Sequence, residues 1–569
     1  MNRGHLFGFV WLLLATACFI RPASADDNVP DSLTSIEQDL DQNNSRVSKE
    51  TTSDFSKRAL AAANFALATQ LENNSQFSDA LDKYYLVTQA DSGYIPAYTH
   101  IAVIYIKQEK YQQAATFLTE KETSFPDSAE IKSILAYLAY KQGNREQAVS
   151  YTLKSLQLNP ELVSNYSLLA RCYLDQNQSA EIAPLMAKSL AVNSPKSSYY
   201  SRLGDFWTQI LYQINPLTDK EIATQTLPFY EKAAALSPGN TQLAFRLGQL
   251  QFELEDYPKA LGYYEQTYQK SPRTLGLRER MSICYLTLKK TDQAIGVLES
   301  LLEDYPERKN LYPMIAELYG HDGQWDKAVN YYRLYVQLSN PDAQDFVNLA
   351  NAQIQARHPN DALDTLTQAE KVYPDIPNLQ LFQALVLRNL ERWKDALAIF
   401  QNLEQQNGKL IDSNFYFDYA VTYEKSGDEA KAVELFRKCL NLNPNNHQAL
   451  NYLGYMWASK GENLDEAEQM IAKALTLDPD SSAYLDSMAW VYYQKKQYDK
   501  ALEFQQKAIV GMPDDPEVLE HLADIYYKLG NSEKAIEAWS KASLKAKDPE
   551  SLKAKIQSAR EQLQASLQP

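Results

Sequence analysis

The sequence is short of the residues that most catalytic and metal-binding motifs require. It contains 4 Cys, 6 His and 18 Gly among 569 residues. The histidines are scattered and none forms a His-Glu-x-x-His pair, and there is neither a Gly-x-Ser-x-Gly elbow nor a Walker phosphate loop. These absences predict a protein that is not an enzyme and that holds no metal and no cofactor.

An excess of positive charge is also missing. Lys and Arg number 56 against 72 Asp and Glu, which gives a formal net charge of −16. A nucleic-acid-binding protein needs a basic stripe to replace the counterions of the phosphate backbone. Nucleic acid is therefore not expected as a partner.

The apolar run at the N-terminus is too short to span a membrane. Residues 6–20 form a run of about fifteen residues, against the ~20 that a transmembrane helix needs. Arg3 precedes the run, and Ala23-Ser24-Ala25 followed by Asp26 reads as a cleavage site. This predicts a secretory signal peptide over residues 1–25 and export to the periplasm or cell envelope. Two alternatives stay open: an uncleaved anchor, and lipidation at Cys18 as an outer-membrane lipoprotein.

Residues 26–57 are rich in Asp, Asn, Ser, Gln and Thr and have few large apolar residues. Such a segment buries too little apolar surface to offset the entropy lost on ordering. We expect a disordered polar linker that serves as a spacer, with a short helix over residues 33–40 as the one ordered element within it.

The remainder of the chain repeats a single pattern. Within residues 451–539 a small residue, an aromatic residue three positions later and a second small residue recur, and Ala467, Ala501 and Ala535 lie 34 residues apart. Apolar residues at three- and four-residue spacing indicate two amphipathic helices per unit. One helical hairpin cannot bury its apolar face alone, whereas stacked hairpins can. The pattern therefore predicts a solenoid.

The same pattern extends over fourteen units. The first small position is held, in chain order, by Ala68, Ala102, Ala136, Ala170, Gly204, Gly248, Ser282, Ala316, Ala350, Ala384, Ala420, Gly454, Ala489 and Ala523. Small residues are expected where two helices cross closely. The sequence thus predicts an all-α fold.

The order of residues resembles the tetratricopeptide repeat. The positions that match the family pattern in the last unit are Ala523, Tyr526, Gly530, Ala535, Trp539 and Ala542. The resemblance covers residues 61–549 and implies a right-handed superhelical solenoid that mediates protein–protein interaction. We expect an N-terminal array over 61–404, a C-terminal array over 405–549 that begins at a loosened joint (405–414), and a capping helix and tail over 550–569.

One segment departs from the simple repeat. About ten extra residues near 206–226 predict a lengthened first helix, a turn at Asn215-Pro216 and a late second helix. They are either a tolerated surface insertion or a local interaction feature.

Cys172, Cys284 and Cys439 occupy inward positions several repeats apart, so they are too distant for disulfides and we expect three buried thiols.

Acidic turns such as residues 513–517 allow two interpretations. They could bind calcium, or they could cap the following helices, since Asp and Ser satisfy the free N–H groups of a first turn. Capping is the prediction that we carry forward.

The resemblance places the ligand groove on the first helix of each repeat. The family's carboxylate-clamping Lys and Asn are not reproduced, because Val347 precedes Asn351 at the matching positions. In the last three units the groove positions are Asn451, Tyr455, Asp486, Trp490, Tyr493, Glu520, Asp524 and Tyr527. This aromatic and acidic surface predicts an extended neutral or basic protein segment as the ligand, with Trp490 as an exposed anchor. The alternative is a set of ordinary solvated side chains.

Together these features predict an exported scaffold or adaptor that binds a protein or peptide partner. Its expected setting is the assembly or regulation of a cell-envelope or secretion complex. A glycan-binding or enzyme-regulating repeat arm, in which aromatic side chains stack on sugar rings, is the alternative.

Overall fold

The computed structural model describes residues 32–43, 52–214, 217–274, 276–406 and 411–566. The predicted signal peptide and Cys18 lie outside these residues, as do residues 407–410 of the predicted joint. The chain divides into two compact units, unit 1 (Met1–Pro306) and unit 2 (Glu307–Pro569). This boundary differs from the predicted one at residues 404 and 405.

Unit 1 contains helices α1 to α15. In chain order they are Ser32–Asn43, Thr52–Asn73, Phe77–Ala90, Ile95–Lys107, Tyr111–Glu122, Ala129–Lys141, Arg145–Leu158, Val163–Asp175, Ile182–Ala191, Ser197–Ile214, Asp219–Leu236, Thr241–Glu253, Tyr257–Lys270, Leu277–Thr287 and Thr291–Asp304. A short 3-10 turn, Ser179–Glu181, precedes α9.

Unit 2 contains helices α16 to α30. They are Leu311–His321, Trp325–Leu338, Ala343–Gln355, Pro359–Val372, Pro377–Asn389, Trp393–Gln406, Ser413–Ser426, Glu429–Leu442, His447–Lys460, Leu464–Leu477, Ser482–Gln494, Tyr498–Gly511, Pro516–Lys528, Ser532–Ser543 and Pro549–Ser566.

Helices α2 to α29 pair into helical hairpins, each with an even-numbered first helix and an odd-numbered second helix. Across the described residues the pairs number fourteen and no strand is present. The all-α prediction and the predicted number of repeats are therefore confirmed.

The insertion near residues 206–226 lengthens both helices of its hairpin. Helices α10 and α11 have 18 residues each, against 13 and 14 in α12 and α13. The lengthened first helix and the late second helix are both as predicted, since Asp219 lies 22 residues after Ser197, whereas Tyr257 lies 16 residues after Thr241 in the next hairpin. Thr218 and Glu221 form a capping box at the N-terminus of α11. Residues 215–216 lie outside the described part of the chain.

Turns and caps explain how the chain folds with few glycines. A residue with left-handed backbone lies in the turn of most hairpins, and it is Gly143 in one (φ 83°) but Glu109 (φ 60°) and Lys496 (φ 61°) in others. A non-glycine residue there costs about 1–2 kcal/mol, which the packing of the hairpin offsets. Asp515 caps α28 by accepting hydrogen bonds from the amides of Glu517 and Val518, as expected for the acidic turns.

The segment predicted as a disordered linker is in part an ordered, docked helix. Helix α1 (residues 32–43) buries Ile36 and Leu40, which are 3% and 8% exposed, in the apolar core of unit 1. Helix α2 begins at Thr52, within the same predicted linker. The short helix predicted over residues 33–40 is thus present, but its docking was not predicted, because it depends on an apolar surface that the repeats supply.

The three cysteines of the repeats are buried free thiols, as predicted. Burial raises the pKa of the Cys284 thiol to about 12 and that of Cys172 to about 11. Both thiols are therefore protonated at neutral pH and unreactive as nucleophiles.

Where glycine holds the first small position, a side chain of the second helix packs closely against it. A Cβ atom at Gly248 would lie 2.6 Å from Cε1 of Tyr264, and one at Gly204 would lie 2.7 Å from the ring of Tyr230. Tyr264 is fully buried, so its ring cannot swing away.

We expect Gly248→Ala to destabilise the α12–α13 hairpin by about 1–3 kcal/mol, because the added methyl group overpacks a filled crossing. Gly262→Ala is the matched control in the same hairpin, since a methyl group added there would have no atom within 4 Å. That change should stabilise helix α13 by roughly 0.5–1 kcal/mol. Hydrogen exchange of the α12–α13 amides measures both effects, and equal shifts for the two variants would contradict the steric explanation.

Candidate binding grooves

The eight residues predicted to bind a partner lie on the first helices of the last three hairpins. Helix α24 carries Asn451 and Tyr455, α26 carries Asp486, Trp490 and Tyr493, and α28 carries Glu520, Asp524 and Tyr527. Spacings of three and four residues place the members of one helix on one face. Their role in binding stays a prediction, but their surroundings can be described residue by residue.

Asp486 is buried in an ion pair and does not face an open groove. Its two carboxylate oxygens each lie 3.0 Å from Nδ1 of His521, and Gln505 donates a 2.6 Å hydrogen bond to Oδ1. Asp486 and His521 are 7% and 6% exposed. Burial alone would lower the pKa of His521, but the hydrogen bond to Asp486 and the charges of neighbouring carboxylates raise it. The pair links α26 to α28.

Trp490 is half-buried between two rings, so its interpretation as an exposed anchor is corrected. Its ring stacks on His521 with centroids 4.0 Å apart and on Tyr493 with centroids 4.5 Å apart. Two rings this close cannot lie side by side on the same face of the indole. Both faces of Trp490 are therefore covered, which leaves no face for a sugar ring.

The acidic residues of α28 are paired with the C-terminal helix. Lys555 of α30 lies 2.8 Å from Oε1 of Glu520 and 2.9 Å from both carboxylate oxygens of Asp524. Trp539 Nε1 also donates to Asp524 (2.8 Å), and the Tyr527 hydroxyl donates to Gln562 of α30 (2.6 Å). Helix α30 thus lies over the groove face of the last hairpin.

Tyr455 and Asn451 complete the set. The Tyr455 hydroxyl donates a hydrogen bond to Glu517, two first helices further along the chain. Burial, reinforced by Glu517, raises the pKa of Tyr455, so the phenol stays neutral. The buried Oδ1 of Asn451 has no hydrogen-bond partner.

The sequence interpretation missed His521, Gln505 and Lys555, which decide the environment of the predicted residues. No repeat signal marked Lys555, because α30 lies beyond the last hairpin and the residue 34 positions after Ala523 is Gln557 rather than a small residue. The signal for His521 was weak, since a lone histidine at an inward position carries no information until its partner is known.

A second groove lies in unit 1 and is occupied by α1. Ile36 and Leu40 of α1 share an apolar cluster with residues of the first helices α4, α6 and α8, among them Ile106, Leu135 and Leu168. Each fully buried aliphatic side chain of this kind contributes about 1.5–3 kcal/mol. The groove face of the N-terminal repeats thus binds an amphipathic helix of the chain itself.

Charged groups hold α1 along its length. Asp39 accepts a 2.6 Å hydrogen bond from Nη1 of Arg202 in α10 and a 2.9 Å bond from the amide of Ser164 in α8. Arg202 Nη2 also donates to the Ser35 carbonyl oxygen (3.0 Å), and Glu37 pairs with Lys107 of α4 (2.7 Å). Asp39 is 5% exposed, so the pair is shielded from solvent. These bonds fix the position of α1 across α4, α8 and α10.

The groove around α1 is not full. A cavity of about 470 Å³ lies beside α1, and its lining residues are Ser35, Gln38, Val163, Ser167, Arg202, Asp205, Phe206, Thr208, Gln209, Tyr212 and Arg246. Two buried atoms of this lining, Oε1 of Gln209 and Nε of Arg246, have no hydrogen-bond partner. The cavity therefore has a mixed polar and apolar lining, with one donor and one acceptor that the chain does not use.

Within the described ranges, no group of three or more His, Cys, Asp or Glu side chains is arranged to hold a metal ion. None of the described helices combines the length and the apolar character needed to cross a membrane.

Comparison with known families gives two matches. Residues 270–462 match the family described as Tetratricopeptide repeat. Residues 224–301 and 460–542 match the family described as Anaphase-promoting complex, cyclosome, subunit 3. Both matches fall on the stacked hairpins.

Individual relatives are more distant. The TPR repeat-containing protein PA4667 of Pseudomonas aeruginosa is 32% identical over 143 residues, which are 25% of this chain and 24% of that protein. The TPR repeat-containing protein YpiA of Bacillus subtilis is 21% identical over 273 residues, 47% of this chain and 63% of the relative. The chain thus spans less than two thirds of either relative.

Among solved structures, the APC/C hetero-tetramer Cut9–Hcn1 aligns with 90% of this chain and 96% of the matched chain. The sequence identity is 14% and the TM-score is 0.38, which is too low to support a conclusion about function.

Proposed function

We propose that this chain, which is a tetratricopeptide-repeat protein, is an exported, non-enzymatic scaffold that binds a segment of a protein partner in its repeat groove. Tetratricopeptide-repeat proteins mediate protein–protein interaction and scaffolding. The assembly or regulation of a cell-envelope or secretion complex is the setting that we propose for this activity.

One observation carries the proposal. The groove of unit 1 already holds an amphipathic helix, α1, through apolar side chains and the Asp39–Arg202 ion pair. Helix-in-groove binding is an established mode of peptide recognition, in which the apolar face of the helix supplies affinity and polar contacts supply register. A partner helix can use the same contacts.

Export is supported by the sequence of residues 1–26 alone. A basic residue, a short apolar run and a small-residue cleavage site are arranged as in a secretory signal. N-terminal sequencing of the chain recovered from the cell envelope checks this, because a start at Asp26 indicates cleavage and a lipidated Cys18 indicates a membrane anchor.

The predicted ligand of the C-terminal groove, an extended neutral or basic segment, remains part of the proposal. Lys555 is a basic group bound to Glu520 and Asp524, so this surface accepts a cation. A partner must compete with α30 for these two carboxylates. The glycan-binding alternative receives no support here, because both faces of Trp490 are covered.

A photocrosslinking amino acid placed at Gln209 in living cells tests the proposal. We expect it to capture one or two defined envelope proteins, because Gln209 lines the cavity beside α1. The control position is Leu153, which is exposed on the second helix α7. Capture should be lost in the Arg246→Glu variant, which changes the charge of the cavity without touching the contacts of Arg202.

The same proteins captured from both positions, or an unchanged set in Arg246→Glu, would refute groove binding. Crosslinks that join Gln209 to α1 within one chain are recognised by their peptide masses. Titration of the mature chain with oligosaccharides tests the alternative, and saturable binding would favour the glycan-binding arm.

A further inference from the structure

Helix α1 binds the groove of unit 1 as a ligand would, although it belongs to the same chain. Its two buried apolar side chains and its buried carboxylate all face the first helices of the repeats. Only eight residues, 44–51, connect it to α2. Helix α1 belongs to none of the fourteen hairpins, so it is not part of the repeat array.

We propose that α1 is a built-in occupant of this groove, and that the physiological ligand is an amphipathic helix of a partner protein that displaces it. The inference rests on the proposed function and specifies its ligand. The partner helix carries aliphatic residues four positions apart, like Ile36 and Leu40, and an acidic residue at the position of Asp39. Arg202 and the amide of Ser164 would bind that acidic side chain.

The cavity beside α1 indicates how the partner helix differs from α1. Helix α1 presents only Ser35 and Gln38 to the cavity, and the Nε of Arg246 is left without an acceptor. An unsatisfied buried polar group costs about 1–3 kcal/mol, so a ligand that supplies the acceptor gains affinity. The partner helix therefore carries an acidic side chain at one of these two positions.

A tethered occupant makes the groove selective. A segment joined by a short linker competes at an effective concentration in the millimolar range. A weak or non-matching helix cannot overcome this competition, whereas a ligand that also fills the cavity can. The ion pair is largely buried and is screened by salt much less than a surface pair, so displacement depends on a matched replacement for Asp39.

The test measures binding of a fluorescent peptide to the full chain. The peptide has the sequence of residues 32–43. Fluorescence anisotropy compares the wild type with an opened variant, Ile36→Asp with Asp39→Arg, in which α1 loses its apolar face and its charge. We expect at least about tenfold tighter binding to the opened variant, because the internal competitor is removed. A second opened form, made by placing a protease site within residues 44–51 and cutting it, leaves every groove residue unchanged.

Charge exchange identifies the site. Arg202→Glu in the protease-cut form should abolish binding of the peptide, and a peptide with Asp39→Lys should restore it. Arg333→Glu, an exposed arginine of unit 2, is the matched control and should leave binding unchanged. A peptide with Gln38→Glu should bind the opened variant several-fold tighter, and this gain should disappear with Arg246→Ala.

Equal affinity for the wild type and both opened forms would overturn the proposal, as would a failure of the exchanged charges to restore binding. Light scattering measures whether the wild-type chain is a dimer. A dimer with crosslinks between residue 39 of one copy and residue 202 of the other would overturn the proposal, because α1 would then fill the groove of a neighbouring copy. The peptide results are independent of the photocrosslinking experiment. If the peptide binds the opened forms more tightly than the wild type but no partner is captured, α1 is an internal occupant and the scaffold function is rejected. If partners are captured but the peptide binds all forms equally, only the role of α1 as internal occupant is rejected.

Discussion

Asp486→Ala is expected to lower the free energy of unfolding of the last three hairpins by about 3–5 kcal/mol. Removal of one partner of a buried ion pair leaves the other charge without compensation, and losses of this size are typical. His521 is 6% exposed, and both carboxylate oxygens that it contacts belong to Asp486. Gln505 would lose an acceptor in the same change. The Trp490 stack rests on His521, so the disturbance extends to the predicted groove residues.

Hydrogen exchange on the full chain measures this effect locally. Amides of α26 to α28 should exchange roughly a hundredfold faster or more, since each factor of ten corresponds to about 1.4 kcal/mol. Amides of α4 and α5 serve as an internal reference, because each repeat of a solenoid contacts only its neighbours. Asp480→Ala, at an exposed turn position before α26, is the matched variant and should leave exchange unchanged.

The pH dependence follows from the raised pKa of His521. Below its ordinary pKa of 6.5 the histidine is protonated in both the folded and the unfolded chain, so the ion pair contributes in full. As pH rises above 6.5 the unfolded chain loses the proton first, and the contribution falls until the folded pKa is passed. The difference between wild type and Asp486→Ala should therefore be largest near pH 6 and decline at alkaline pH. A difference independent of pH would show that the pair is a neutral hydrogen bond.

Glu72→Ala should destabilise the first two hairpins by on the order of 3 kcal/mol. Glu72 is 6% exposed and accepts hydrogen bonds from Tyr84 (2.8 Å), His100 (2.9 Å) and Lys107 (3.0 Å). Burial alone would raise the pKa of this carboxyl group, but the three donors outweigh it and hold the pKa at about 2, against an ordinary value of 4.5. The network joins α2, α3 and α4.

This second contribution has the opposite pH window. It is fully present above pH 4.5 and is lost as pH falls from 4.5 towards about 2. Exchange of the α2–α4 amides at pH 7 and at pH 3 should therefore show a smaller difference between wild type and variant at the lower pH. The exposed Glu120 of α5 supplies the control, Glu120→Ala. Should the loss be as large at pH 3 as at pH 7, packing rather than charge would explain it.

Periodic features could be predicted from the sequence because they depend on neighbouring hairpins. The small residue at each helix crossing fixed the number of repeats, and the inward positions of Cys172 and Cys284 correctly indicated buried thiols. The choice of glycine rather than alanine at Gly248 could not be explained in advance, since it depends on the ring of Tyr264 across the hairpin.

Contacts outside the period could not be predicted. Asp39 and Arg202 are 163 residues apart, and α1 has a polar composition that by itself indicates a linker. The acidic groove residues of α28 were identified, but Lys555, which neutralises them, lies beyond the last hairpin. Local patterns thus determine each hairpin, whereas the terminal helices are placed by ion pairs and apolar contacts that do not follow the repeat.

The C-terminal helix has a consequence for assembly. Leu552, Ile556 and Ala559 of α30 are buried against the apolar end of the last hairpin. A chain without α30 would offer that end to any surface shaped like a following repeat, including one on a second copy. Such a contact is head-to-tail and does not close on itself, so it propagates into fibres. Helix α30 therefore covers an apolar surface that would otherwise be open to such contacts.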